Sequence, residues 1–295
     1  MGLPAIAMLM LVNLVWSLNV VVSKVAVDDL GMPPIFYAFA RSVLVVIALA
    51  PLLRPLPRQL PLVMLIGLAI SGGSFALLFA GLATASPSTA GIVSLAGAPL
   101  TVLFAILFLG ERVRWRRAVG IALAFGGVLI AVTGPGALEA SGGVVLVFGS
   151  AVVGALGSVF MKRLDISSVR LQAWAGVASV LVLLPLSLTL ETGQLDAFAR
   201  TPMQIAACLT FAGLVVSVGA HTVYFQLLQR YDTDQVVPLT LVSPLLTVAL
   251  GAWLTNDAVG VQLLVGGTLA LAGVAIIVLR PSATFSKRLL VRLRL

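Results

Sequence analysis

Apolar runs fill this chain, and short polar breaks divide them. Ten apolar segments stand out, at about 5–23, 34–53, 61–82, 88–109, 115–133, 142–161, 171–190, 203–228, 235–254 and 259–279. Each approaches the roughly 20 residues that carry a helix across a hydrocarbon layer about 30 Å thick. Gly, Pro and charge collect in the breaks, such as "RPLPRQLP", "GERVRWRR" and "RYDTDQ". Most breaks are short, so consecutive helices run antiparallel and no soluble domain fits between them. Backbone polar groups in lipid must pair internally, which helices accomplish. The pattern predicts an all-α, polytopic membrane protein of ten spans.

Composition agrees. The chain is 60% hydrophobic and 9% charged, with a mean hydropathy of +1.16; a soluble domain of this size needs far more polar surface. Residues 1–23 have neither a charged start nor a small-residue cleavage pattern, so they are expected to stay as the first span rather than leave as a signal peptide. Cys208 is the one cysteine, which excludes an intramolecular disulfide and a cysteine metal site.

Charge sets the orientation. Fifteen of the eighteen Lys and Arg fall in the even-numbered connections and the C-terminal tail; the exceptions are Lys24, Arg41 and Arg200. Cytoplasmic loops carry the Lys/Arg excess, so both termini are expected in the cytoplasm. The net charge of +8 therefore reflects topology, and no nucleic-acid partner is expected. The tail 281–295, "SKRLLVRLRL" at its end, interleaves Arg with Leu and suits anionic lipid headgroups.

The chain repeats itself. A shift of about 146 residues sets "GIALAFGGVLI" (120–130) on "GTLALAGVAII" (267–277), "APLTVLF" (98–104) on "SPLLTVAL" (243–250) with a one-residue slip, and Phe75 on His221. Five spans per half is an odd number, so the halves 1–138 and 139–280 are expected as inverted repeats. Secondary transporters recur in that arrangement, with substrate near the midplane between the repeats.

With these features on the page, the chain resembles a known family. Ten spans as five plus five, "LVWSLNVVVSKV" in span 1, "AFAR" in span 2 and "PLTVLFAILFLGERVRWRRAVGIALAFGGVLI" across spans 4 and 5 are similar to the drug/metabolite transporter superfamily, and within it to the EamA-type ten-helix permeases. The second half departs from that pattern, with Asn256-Asp257 where Gly-Glu is expected. The resemblance implies a carrier among relatives that include amino-acid and metabolite exporters. The expected location is a cell membrane, the bacterial inner membrane, and the expected state a monomer.

Candidate site residues follow from what is costly in lipid. His221 is the only histidine and lies within span 8; an intramembrane ionisable group marks a functional site by default. It fits a neutral imidazole contacting substrate, a proton carrier, or a structural histidine bonded to a neighbouring helix. Phe225 follows it at i+4, and Phe75 and Phe79 share a face of span 3 in the same way. Asn13, Trp16, Asn19 and Ser23 form one polar-aromatic stripe in span 1, suited to substrate contact or to interhelical bonding. Arg41, inside span 2, reads as a structural anchor, with carboxylate binding as the alternative; Glu111 reads as part of a cytoplasmic ion-pair cluster.

Pro99, Pro238 and Pro244 predict bends in spans 4 and 9. Such bends would open and close a cavity lined by spans 1, 3, 6 and 8, where span 6 offers Ser158 and Phe160. No acid lies well inside a span, which disfavours proton-driven export of cations, and one deep arginine disfavours sugar phosphates. The expected substrate is a zwitterionic or neutral small molecule, an amino acid foremost. Trp16, Phe75, Phe79, Tyr224 and Phe225 favour aromatic or large apolar ones, and Asn19 and His221 supply polar contacts. Facilitated diffusion or exchange is the expected mode; the alternatives are proton-coupled export of drugs or nucleosides, a structural or insertion role, and an intramembrane enzyme pairing Ser74 with His221. No Walker A motif or metal cluster is present, so no cofactor or metal is expected.

Overall fold

The computed structural model describes residues 1–110, 115–133, 141–161, 163–231 and 233–278. Among these, all regular structure is helical. Nine helices are long and apolar enough to cross a membrane: α1 (Leu3–Asp29), α2 (Pro34–Leu53), α3 (Leu60–Leu82), α4 (Pro87–Leu109), α6 (Gly142–Met161), α7 (Ser168–Leu190), α8 (Pro202–Tyr224), α9 (Val237–Leu254) and α10 (Val261–Val278). Between α4 and α6 lies α5 (Trp115–Ala131), a helix of 17 residues on the fifth expected span. The protein is thus an all-α, multi-pass membrane protein. Pro4, Pro34, Pro61, Pro87 and Pro202 stand in the first turns of their helices, where a missing N–H costs nothing. Helix α1 runs past its expected end at 23 because Lys24 and Asp28, one turn apart, pair at 2.8 Å and carry the helix on to Asp29. The basic tail and Glu111 lie outside the described residues.

Two acids at helix ends bind other helices at their starts. Glu191, just past α7, accepts from the backbone N–H of Ile35 at 2.7 Å and of Phe36 at 2.9 Å, and from Ser187 Oγ at 2.6 Å. Asp257, past α9, accepts from Ser88 N at 2.8 Å and Thr255 Oγ1 at 2.7 Å. The first turn of a helix has orphan N–H groups and a positive dipole end, so a carboxylate there is favourable. These contacts join α7 to α2 and α9 to α4. The residue before Asp257 is Asn256, with φ 52°, and the residue before Glu111 is Gly110, with φ 66°. Both end a helix in the left-handed region, which Gly and Asn tolerate best. Asn-Asp in the second half therefore does the same backbone work as Gly-Glu in the first.

Helices α5 and α10 pack antiparallel through small residues. A Cβ on Gly120 would lie 2.8 Å from Gly273 O, and one on Gly127 2.8 Å from Ala270 Cα. Backbones this close leave no room for side chains, the geometry that small residues permit in membranes. Gly127 also faces Gly266. Under the 146-residue shift the Gly120–Gly273 contact maps onto Gly127–Gly266 within one residue.

Helices α4 and α9 are both interrupted before a proline. In α4 the α-helix stops at Ser94 and resumes at Gly97, bridged by shorter bonds from Leu95 N to Ile92 O and from Ala96 N to Val93 O. Pro99 follows. In α9 a 3₁₀ stretch, Val237–Leu241, contains Pro238 and precedes the α-helix that holds Pro244. Four other helices form a ring, in which α1 packs on α8, α8 on α2, α2 on α3 and α3 on α1.

Asp257→Ala is expected to lower stability in detergent by about 1–3 kcal/mol, because Ser88 N loses its acceptor at a helix start; thermal unfolding would read this as a lower Tm, with Asp257→Asn closer to wild type. Gly127→Val is expected to lower Tm further, since its side chain meets backbone of α10; a Tm equal to wild type would contradict the close packing.

Candidate functional site

The site is organised by a distortion in α8. Over Phe211–Ala220 this helix widens into a π-helix, in which backbone groups pair five residues apart. Two side chains use the same spacing: Ser217 Oγ donates to Ala212 O at 2.6 Å, and His221 Nδ1 lies 2.9 Å from Val216 O. A carbonyl only accepts, so Nδ1 carries a proton. Gly213 admits α2 closely, as a Cβ there would stand 3.0 Å from Leu44 Cβ.

That approach brings in Arg41 from α2. Arg41 is 4% exposed. Its Nε donates to Ala212 O at 3.1 Å and to Ser217 Oγ at 2.9 Å. Its guanidinium carbon sits 3.6 Å from the centre of the Phe75 ring on α3, a cation–π contact, and 5.9 Å from that of Phe79. Among the described residues no carboxylate reaches it, and Lys24–Asp28 is the one ion pair. Phe79 lies behind Phe75, fully buried between Phe75 and Tyr37 at 5.7 and 4.9 Å between ring centres.

From α1, Trp16 enters next to His221. Its ring centre is 5.3 Å from that of His221 and 5.0 Å from that of Tyr224, edge to face with the latter. The rest of the stripe ties α1 to α9. Asn13 Nδ2 donates to Leu9 O and Leu239 O, and Ser17 Oγ donates to Asn13 O and Ser243 O. Three polar atoms of this stripe are buried without a hydrogen-bond partner, Asn13 Oδ1, Trp16 Nε1 and Asn19 Oδ1, while the Ser23 hydroxyl stands against Tyr37 of α2. Gln172 Oε1 and Trp174 Nε1 are buried without one elsewhere among the described residues. Each unsatisfied buried group costs about 1–3 kcal/mol, so three on one stripe of a membrane helix call for a function.

The structure therefore brings together Trp16, His221, Tyr224 and, through Arg41, Phe75, and it puts Asn19 on the same stripe as Trp16. Phe79 supports this group from the core. The side chain of Phe225 lies outside the described residues. Pro99, Pro238 and Pro244 lie at the interruptions of α4 and α9. Of the named residues of α6, Ser158 Oγ donates to Gly154 O within its own helix, and Phe160 packs on Phe108 of α4 at 5.4 Å. Ser74 Oγ donates to Ser71 O and makes no bond to His221. Sequence reading missed Ser217 and Gln172, whose Nε2 donates to Ser217 O. A 3.6-residue period hides both, because Ser217 owes its place to the wide turn.

Comparison with known proteins completes the picture. The profile of the EamA-like transporter family matches residues 3–133 and 141–279. A Salmonella typhimurium protein named "Probable amino-acid metabolite efflux pump" is 32% identical over 90% of this chain and 92% of its own length. An Escherichia coli protein of the same name is 31% identical over the same shares, and a Streptantibioticus cattleyicolor protein named "Probable terminal-alkyne amino-acid exporter" is 27% identical over 92% of this chain and 93% of its own. One solved crystal structure, 21% identical, superposes with a TM-score of 0.60 over 98% of this chain and 99% of its own, which places the fold. A profile match along nearly the whole chain, joined to relatives above 30% identity over nine-tenths of it, makes this chain a member of the EamA-like transporter family.

Proposed function

We propose that this protein exports amino acids, aromatic and large apolar ones foremost, by alternating access through the ring of α1, α2, α3 and α8, as a facilitator or exchanger. The observation that carries this reading is the stripe on α1, where polar atoms are buried without partners beside the Trp16–His221–Tyr224 aromatic group. Polar atoms of that kind suit the polar end of a zwitterion, and the rings suit its side chain. The names of the relatives support the same class. Export here means movement out of the cytoplasm across the bacterial inner membrane, with both termini cytoplasmic, a reading the Lys/Arg distribution supports.

The motion follows from the repeats. Halves 1–138 and 139–280 are inverted copies, and the matched left-handed residues Gly110 and Asn256 and the self-complementary α5–α10 contact support this. Helices α4 and α9, interrupted before their prolines, bend against this pair. At their outer ends Asp257 holds α4 to α9 through Ser88 N. Opening outward must release that contact.

The test is uptake of labelled amino acids into proteoliposomes holding the purified protein, with and without a pH gradient. Saturable uptake of L-phenylalanine, L-tyrosine or L-leucine that ignores the gradient is the expected result. Uptake that follows the gradient would replace the facilitator by a proton-coupled carrier, and no uptake of any amino acid would remove the substrate class. His221→Ala is expected to raise KM by about tenfold, the loss of roughly one contact worth 1.4 kcal/mol, with an unchanged elution profile in detergent. An unchanged KM for every transported amino acid would return His221 to a packing role.

A further inference from the structure

A guanidinium inside a membrane protein needs a compensating charge. Arg41 is 4% exposed and has none among the described residues. Its two hydrogen bonds both leave from Nε, to Ala212 O and Ser217 Oγ. Nη1 and Nη2 make none to the described residues, although an arginine carries five N–H donors in a fixed fork. The group is nonetheless held from two sides: Ala212 and Ser217 take one edge, and the guanidinium carbon stands over the Phe75 ring, 3.6 Å from its centre. A planar fork, preorganised and with its outer edge unused, is the geometry that takes a carboxylate in a bidentate pair.

Resting on the amino-acid reading above, we infer that Arg41 binds the substrate α-carboxylate with Nη1 and Nη2. The carrier then selects for a free carboxylate: decarboxylated amines and amino-acid amides are excluded because they leave the buried arginine uncompensated. Selection of this kind is strong, since a site built around a buried charge rejects an analogue that cannot pair with it.

Competition in the same proteoliposomes tests this. Uptake of labelled L-phenylalanine by wild type is measured against unlabelled L-phenylalanine, L-phenylalaninamide and phenethylamine. The acid is expected to compete at least about 30-fold better than either analogue, as the loss of one partner of a buried charge pair implies. Arg41→Gln is expected to raise the KM for L-phenylalanine by a similar factor, and Arg41→Lys, which keeps the charge and loses the fork, by less. The comparison within wild type does not depend on either variant folding. Equal competition by acid and amide, or an unchanged KM in a well-folded Arg41→Gln, would overturn the assignment while leaving amino-acid transport intact. Wild-type vesicles that move no L-phenylalanine, L-tyrosine or L-leucine would remove the amino-acid reading itself, and this inference with it.

Discussion

The Ala212 carbonyl, in the π-helical part of α8, is the contact on which the centre of this protein depends. It accepts from Ser217 Oγ and from Arg41 Nε. In lipid, backbone polar groups must be satisfied within the protein. Ala212 O and Val216 O lie in the widened stretch of α8, and these two oxygens take hydrogen bonds from the arginine and the histidine. The widened stretch thus meets both Arg41 and His221. Gly213 allows α2 near enough to deliver the arginine, and Phe75 fixes its plane.

Around this centre, close packing and irregular backbone bonding fall in different places. The α5–α10 pair is packed backbone against backbone at Gly120, Gly127, Gly266 and Gly273. Helices α4 and α9 lack regular bonding just before Pro99 and Pro244, so bending there disturbs few contacts. Carboxylates at helix starts, Glu191 on α2 and Asp257 on α4, hold the helix ends while leaving the ring to side chains that differ in kind from the packing residues. A carrier needs this division, because its site must change access without losing its geometry.

Much of this was legible in the sequence, and the limits have physical causes. Apolar run length locates spans because bilayer thickness fixes it, and the ends fell within a few residues. The exception is α1, which Lys24–Asp28 extends to Asp29. The stripe Asn13, Trp16, Asn19 and Ser23 was legible because polar residues are rare in such helices; the first three each carry an unpartnered buried atom. Asn256 in place of glycine looked like a departure, yet its φ of 52° shows that backbone conformation is what the position demands. Ser217 was not legible, since pattern reading assumes a regular helix. Which neighbour Phe160 of α6 meets, Phe108 of α4, was not legible for a related reason: period tells which residues share a face but not which neighbour that face meets.

The central claim is that the ring of α1, α2, α3 and α8 holds the substrate. An experimental structure of the protein with a bound amino acid that it transports tests this most directly. The account predicts a carboxylate within hydrogen-bond distance of Arg41 Nη1 and Nη2 and a side chain among Trp16, His221 and Tyr224. A substrate lodged elsewhere, with Arg41 still bonded only to Ala212 and Ser217, would contradict it.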